Sequence, residues 1–375
     1  MKNFSRRFLL LSIGCTLAFL VACGKPQQKT PEAKLNVLVI APLTGPGASL
    51  GELIRNGIEI GRTEVAQRYG AGLQLNVEYV DSKNQPKEGL SAYQAAKLRT
   101  KPDAVISAMS SVSKALQPIV ESDKIFTVAT TTALSGLPQG TNYVVRIYPT
   151  SDDFVALTAD YMADRFSHIA VMYVNDDFGK SNETEFRRHL AAKSKQLAIE
   201  DSFELTQTDH RNSIQRLLAG EPDALFVTGY GPAYIALLKQ IRESAPAIPL
   251  FTEMSLANPA VLSALGNVAD GVIFAGTDLE LTEPKSAPAQ AFKAAYRDRF
   301  HADTFMVAGF ARDSLDLIVN ASFKDGGFVG PTKASAIALS PINGCVGAIQ
   351  LDQDGESHIP LRLMQRKGDK TVPVE

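Results

Sequence analysis

Cysteine is scarce in this chain, with three in 375 residues: Cys15, Cys23 and Cys345. The first two lie within or at the end of an N-terminal apolar run, so one thiol remains for everything that follows and no intrachain disulfide can form there. Packing must hold the fold without a staple. Five histidines are scattered and Cys345 stands alone, a pattern that offers no metal constellation. The Gly-x-Ser-x-Gly elbow is missing, and no serine is paired with histidine and aspartate by sequence, which argues against nucleophilic catalysis. Blocks of Lys and Arg are absent beyond the N-terminus and the net charge is −2, which argues against a nucleic-acid partner. These absences describe a chain expected to be no enzyme and to hold no cofactor or metal. At 45% hydrophobic content it is long enough for two cores of ordinary size.

The first two dozen residues, MKNFSRRFLLLSIGCTLAFLVAC, join a basic start to an apolar run that ends in Leu20-Val21-Ala22-Cys23. That is the pattern of a secretory signal with a lipoprotein box, so 1–22 read as a signal peptide, Cys23 as the lipidation site and 23–34 as a polar tether. Two other readings stand beside it. The run could remain as an anchor, although it is short for a spanning helix, and Ser5-Arg6-Arg7-Phe8-Leu9 partly resembles a twin-arginine signal. After it, no second apolar run is long enough to cross a membrane.

From residue 35 to about 276, short β-branched runs alternate with helix-length amphipathic segments. The alternation predicts an α/β fold with parallel sheets covered by helices. Strands are expected near 35–41, 73–80, 103–107, 125–130, 168–174, 198–204, 223–228, 248–252 and 271–275. Leu53, Ile54, Ile58 and Val65 form an apolar stripe at helical spacing in 50–69. Residues 209–220 read as a helix with a cap at Asp209 and glycine at its end. The series divides at Arg146–Asp153, where Pro149 interrupts and Thr150 and Ser151 offer a helix cap. Past 276 come a Pro-containing loop and helices at 287–300 and 305–323. The tail then returns to strands, with a hairpin turning at Asp352–Ser357 and a loose end from Lys370.

The stretch VLVIAPLTGPGASLG, Val37 to Gly51, carries a strand into a glycine-rich turn and a helix. A dinucleotide loop needs Gly-x-Gly-x-x-Gly at the strand end and a ribose-binding acid beyond. Gly45, Gly47 and Gly51 are spaced Gly-x-Gly-x-x-x-Gly, so the spacing fails even though Asp81 stands where such an acid would. What remains is a helix N-terminus with unpaired N–H groups, suited to a small anion or polar ligand.

APLTGPGASLGELIRNGIEI and VEYVDSKNQPKEGLSAYQAAKL, followed by IAVMYVNDDFGKSNETEF and PDALFVTGYGPAYIALLKQIRESA, cover much of the chain after residue 40. Together they resemble the branched-chain amino-acid (Leu/Ile/Val)-binding family, the type I periplasmic solute-binding proteins of ABC importers, here in lipoprotein form. The resemblance implies two Rossmann-like parallel-sheet lobes joined by a three-segment hinge, with a ligand cleft between them that closes by hinge motion. The implied crossovers lie near Tyr148–Thr150, Ala275–Thr277 and Ser340–Asn343. They would assign 35–148 plus 277–339 to an N-terminal lobe and 149–276 plus 340–375 to a C-terminal lobe.

Ligands of open parallel sheets sit beyond the carboxyl ends of strands. On the first lobe this singles out Ser110 and Ser111, and Thr130, Thr131 and Thr132. The resemblance implies a ligand carboxylate at Ser110 and contacts along the threonine run; helix capping by these hydroxyls is the alternative. By the same resemblance Leu50 is an apolar wall, and Phe178 and Tyr230 are second-lobe aromatics against the ligand, with ordinary core packing as the other reading. Amino-acid binders of the family hold the ligand ammonium with a carboxylate at a position that falls here on Met254, with Glu253 adjacent. Either Glu253 does that work or the ligand has no free ammonium, and an exposed, merely solvated Glu253 is the plain alternative. Asp278 is the next candidate acid. The half-cystine pair of some relatives is also missing, with Met109 at one of its sites.

The reading that follows is an exported, lipid-anchored solute-binding protein facing the periplasm or cell exterior. It is expected to be a monomer that captures a small polar ligand, an amino acid or close analogue, and delivers it to ABC permease subunits. An envelope ligand sensor or regulatory lipoprotein with the same fold is the alternative, and a neighbouring permease and ATPase gene set separates the two.

Overall fold

The computed structural model describes residues 33–374. The expected signal peptide, lipidation site and most of the tether lie outside the described residues. The first sheet is built from β1 (Ala33–Ala41), α1 (Ala48–Tyr69), β2 (Leu73–Asp81), α2 (Pro86–Thr100), β3 (Ala104–Ala108), α3 (Ser110–Asp123), β4 (Phe126–Thr130) and β5 (Val144–Arg146). Its strands run parallel in the order β2-β1-β3-β4-β5. β3 and β4 are buried along their whole length, as is β1 from Val37 onward, and all three are mostly apolar there because helices cover both of their faces.

The chain then crosses to α4 (Ser151–Ala163), capped as expected by Thr150, which forms a reciprocal box with Asp153. β6 (Ile169–Val174), α5 (Asp177–Ala192), β7 (Leu197–Phe203), α6 (Arg211–Ala219), β8 (Ala224–Thr228), α7 (Gly231–Ser244), β9 (Leu250–Thr252), α8 (Pro259–Leu265) and β10 (Ile273–Gly276) follow. His210 holds the N-cap position of α6 without a side-chain cap bond, and Asp209 just before it accepts the amide of Arg211 at 3.2 Å. Read from β7 to β10, the second sheet has the order β7-β6-β8-β9-β10, the same as the first. The fold is therefore two doubly wound lobes, each with the crevice that such an order leaves between its first and third strands.

After β10 the chain returns to the first lobe. α9 (Ala287–Phe300) and α10 (Met306–Ala321) pack on α1, so closely that a Cβ on Gly57 would lie 1.9 Å from the carbonyl oxygen of Ala308. A small hairpin, β11 (Phe323–Lys324) with β12 (Gly327–Phe328), and α11 (Lys333–Ala338) precede the tail.

The tail departs from expectation in two ways. β13 (Ile342–Gly344), β14 (Gly347–Leu351) and β15 (Ser357–His358) form a small sheet of their own. Buried groups hold it on the first lobe. Asp313 of α10 accepts the amides of Cys345 and Val346, Arg146 Nε donates to Glu356 Oε2 at 2.6 Å, and Ser357 exchanges two hydrogen bonds with the backbone of Tyr148. Only β16 (Arg362–Lys367) and β17 (Lys370–Pro373) enter the second sheet, antiparallel against β10. The third crossing thus falls between His358 and Arg362, not at Ser340–Asn343, and the expected loose end from Lys370 is an edge strand. Among the described residues no helix is long and apolar enough to cross a membrane.

Candidate functional site

Both crevices open toward the same space. The turn after β1 is closed by Asp81 at the end of β2, whose carboxylate accepts the amides of Leu43, Thr44 and Lys83 and the Thr44 hydroxyl. The acid in the ribose-binding position is thus occupied as a loop tie. Gly51 lets α1 lie against that turn, since a Cβ there would sit 2.0 Å from the carbonyl oxygen of Pro42.

A cavity between the lobes is lined by Leu50, Met109, Ser110, Ser111 and Thr131 from helix starts and loops of the first lobe, and by Asp176, Phe178, Tyr230 and Ser255 from those of the second. Asn84, Tyr148, Phe305 and Val307 complete it. α3 points its N-terminus here. The first turn of an α-helix leaves amides without intrahelical acceptors, and no side chain caps this one. Ser110 Oγ accepts the amide of Ala133 at 3.2 Å. Thr131 has a left-handed backbone, φ 48°, and a buried hydroxyl with no hydrogen-bond partner. Met109 also sits at positive φ, 74°. Positive φ at two adjoining strand ends and an unpartnered hydroxyl coincide at the cavity wall, and strained backbone of this kind clusters at ligand sites. The arrangement can hold a carboxylate on hydroxyls and helix amides.

The other walls are apolar and aromatic. Phe178 meets Tyr230 edge to face with centroids 5.8 Å apart. Asp176, the one carboxylate in the lining, caps α5 through Gly179 at 2.9 Å and accepts the Tyr230 hydroxyl at 2.5 Å; burial raises its pKa.

Of the sequence-derived candidates, the fold brings together Leu50, Ser110, Ser111, Thr131, Phe178 and Tyr230. Thr130 and Thr132 are buried and do not line the cavity; the Thr132 hydroxyl bonds Ser113 Oγ and the carbonyl of Thr130. Met254 is buried in a short 3-10 turn, Met254–Ala257, away from the lining. Glu253 caps that turn. Its Oε2 accepts the amide of Ser255 at 2.7 Å, and its Oε1 accepts that of Gly229 at 3.4 Å. Burial pushes its pKa up to about 7. Tyr148, which lines the cavity, feels its charge. Asp278 lies off the cavity, with one carboxylate oxygen taken by the amides of Lys285 and Ser286. Sequence reasoning missed Asn84, Met109, Tyr148, Asp176, Ser255, Phe305 and Val307 as lining residues. Asp176 and Ser255 were one or two residues from named candidates, whereas Phe305 and Val307 arrive only because the chain returns to the first lobe.

The lobes touch across the cleft. Asn84 Nδ2 donates to the Tyr230 hydroxyl at 2.8 Å, Lys114 pairs with Asp177 at 2.7 Å, and Asn258 reaches Ser49 at 3.3 Å. Gly231, at φ 72°, meets Pro46 so closely that a Cβ would be 2.7 Å from the Pro46 carbonyl oxygen. The closed cavity measures about 20 Å³, room for about one water. With the lobes this close, the cavity has no room for a small organic carboxylate.

Comparison with known proteins agrees with this architecture. The family described as periplasmic binding protein matches residues 34–370. The Leu/Ile/Val-binding protein BraC3 of Rhizobium johnstonii is 23% identical over 335 residues, 86% of this chain and 89% of that protein. Among solved structures, the branched-chain amino acid transporter substrate-binding protein LivJ of Streptococcus pneumoniae, in complex with isoleucine, superposes with TM-score 0.80 at 19% identity, covering 91% of this chain and 99% of that one. A solute-binding protein of R. palustris in complex with benzoate superposes with TM-score 0.83 at 19% identity, covering 91% and 96%. At these identities the structural likeness speaks to the fold.

Proposed function

The chain belongs to the periplasmic binding protein family, and from that membership and the cleft just described we propose that it captures a small amphiphilic carboxylate, an amino acid of branched-chain type, for an ABC importer. The family implies an extracytoplasmic location, and the N-terminal pattern ending in Cys23 supports tethering there by lipid. The observation that carries the reading is the uncapped N-terminus of α3, with Ser110, Ser111 and the unpartnered Thr131 hydroxyl, facing apolar walls. A carboxylate would bind at the helix end and an aliphatic body against Leu50, Phe178 and Val307.

For the ammonium we propose Glu253. A fully buried carboxylate held by the Ser255 and Gly229 amides and the Ser255 side chain, with no cationic partner, is costly unless a cation joins it, and it neighbours two lining positions, Ser255 in its own turn and Tyr230 through Gly229. A second reading has an observation behind it: Asp176 is already engaged and Glu253 stands behind the lining, an arrangement that suits a carboxylate without an amine. The relatives bind both kinds, isoleucine in one and benzoate in another. Thermal-shift screening against amino acids and amine-free organic acids tests the reading, because a ligand at 100 times its Kd adds about 2.7 kcal/mol. No shift with any small carboxylate would refute it.

A further inference from the structure

We propose that the Tyr230 hydroxyl is the positioning link that holds the cleft shut, joining Asp176 of its own lobe to Asn84 of the opposite lobe. The inference rests on solute capture by closure as proposed above. Tyr230 donates its proton to Asp176 Oδ2 at 2.5 Å, which leaves its oxygen lone pairs free, and Asn84 Nδ2 donates to that oxygen at 2.8 Å. The direction of the relay is fixed by the carboxylate, which cannot donate when ionised. The bond to Asn84 can exist only when the lobes meet. All three residues line the cavity, so a solute seated there contacts the link itself.

Two further observations show that the link is built. Lys83 and Asn84 are consecutive residues in the left-handed region, φ 49° and 57°, a backbone that disfavours Lys83 and that asparagine tolerates better than most side chains. Asp81 holds this bend by accepting the Lys83 amide at 2.8 Å, which presents Asn84 to the other lobe. On the second lobe, the edge-to-face contact with Phe178 fixes the Tyr230 ring. The cross-lobe ion pair of Lys114 with Asp177 is half exposed and screened, whereas Tyr230 is 4% exposed, where a hydrogen bond is strengthened by the low dielectric.

The test measures the distance between lobes directly, so that it does not depend on knowing the ligand. Cysteine-directed spin labels would replace exposed Lys87 and Lys180, one on each lobe, with Cys345 buried and unreactive. Distance distributions are recorded for the parent, Tyr230→Phe, Asn84→Ala and the double variant, each alone and with leucine or benzoate. Tyr230→Phe keeps the ring and its packing. Each single variant is expected to lower the closed-to-open ratio about fivefold, the share of one hydrogen bond, and the double variant no further. A ratio unchanged in either single variant, additive losses in the double, or a parent with no closed population would overturn the proposal. Failure of all carboxylates to bind, with the distance effects intact, would instead remove the solute-capture reading and leave the link standing.

Discussion

Glu253 and Ser255 sit two residues apart on one turn and are joined head to tail: the carboxylate of Glu253 accepts the amide of Ser255 at 2.7 Å, and Ser255 lines the cleft. Met254, between them, is buried off the cleft. The turn therefore sets an uncompensated acid immediately behind the cavity wall. If a ligand ammonium completes it, Glu253→Gln weakens leucine binding by about 2–5 kcal/mol and leaves 4-methylpentanoate nearly unchanged. Calorimetry with both ligands checks this. Tight leucine binding indifferent to Glu253→Gln would remove Glu253 from the site.

The same acid makes binding pH-dependent. Free Glu253 titrates at about 7, and only its ionised form attracts an ammonium. Below that pH, binding must first expel a proton, so the Kd for leucine should rise toward tenfold per pH unit between 7 and 5. An amine-free acid should show no such slope. A flat leucine profile over this range contradicts the assignment.

Stability without ligand should move in the opposite sense to leucine affinity. Burial raises Glu253 and Glu280 from 4.5 to about 7. Below about 4.5 both are neutral in folded and unfolded chains; between 4.5 and 7 the unfolded chain ionises first, so stability is lost as pH rises through this window. Each group contributes a loss on the order of 3 kcal/mol. A scan of the apo melting temperature from pH 5 to 7.5 should show a decline from these two groups, which Glu253→Gln flattens in part.

Ser110→Ala should weaken carboxylate ligands about tenfold or more, the loss of one hydrogen bond to a charged group. The bond from Ala133 to Ser110 is lost as well, and should lower stability by about 1 kcal/mol. Equal affinity in the variant and parent would make Ser110 a structural tie alone.

At Gly51, a Cβ would meet the backbone of Pro42 at 2.0 Å. Gly51→Ala should therefore cost about 1–3 kcal/mol of stability by overpacking, seen in denaturant unfolding. An unaltered midpoint would mean that the turn after β1 moves freely.

Cys23 lies outside the described residues, but its prediction is separable from the fold: Cys23→Ser should abolish membrane partitioning while the unfolding midpoint of the lobes stays unchanged. Lipidated product from that variant would refute the lipoprotein reading.

The sequence by itself determined the alternation of strands and helices, because fully covered parallel strands must be apolar throughout while their helices need only one apolar face. The strand-end rule also singled out Ser110, Ser111 and Thr131, since a doubly wound sheet leaves backbone and side chains uncovered there, whereas Phe178 and Tyr230 came from the family resemblance. Side-chain direction within a turn was not legible. Thr130 and Thr132 flank Thr131 in an unbroken run of one residue type, and only the positive φ at Thr131, set by packing of the loop, puts that residue alone in the cleft. The tail was equally undetermined, since a short alternating strand can pair with either lobe. Its placement was decided by buried partners far away in sequence, Arg146 with Glu356 and Asp313 with the amides of Cys345 and Val346. Asn84 and Tyr230, 146 positions apart in sequence, meet only because the two lobes face each other across the cleft, a contact that no local pattern in either segment encodes.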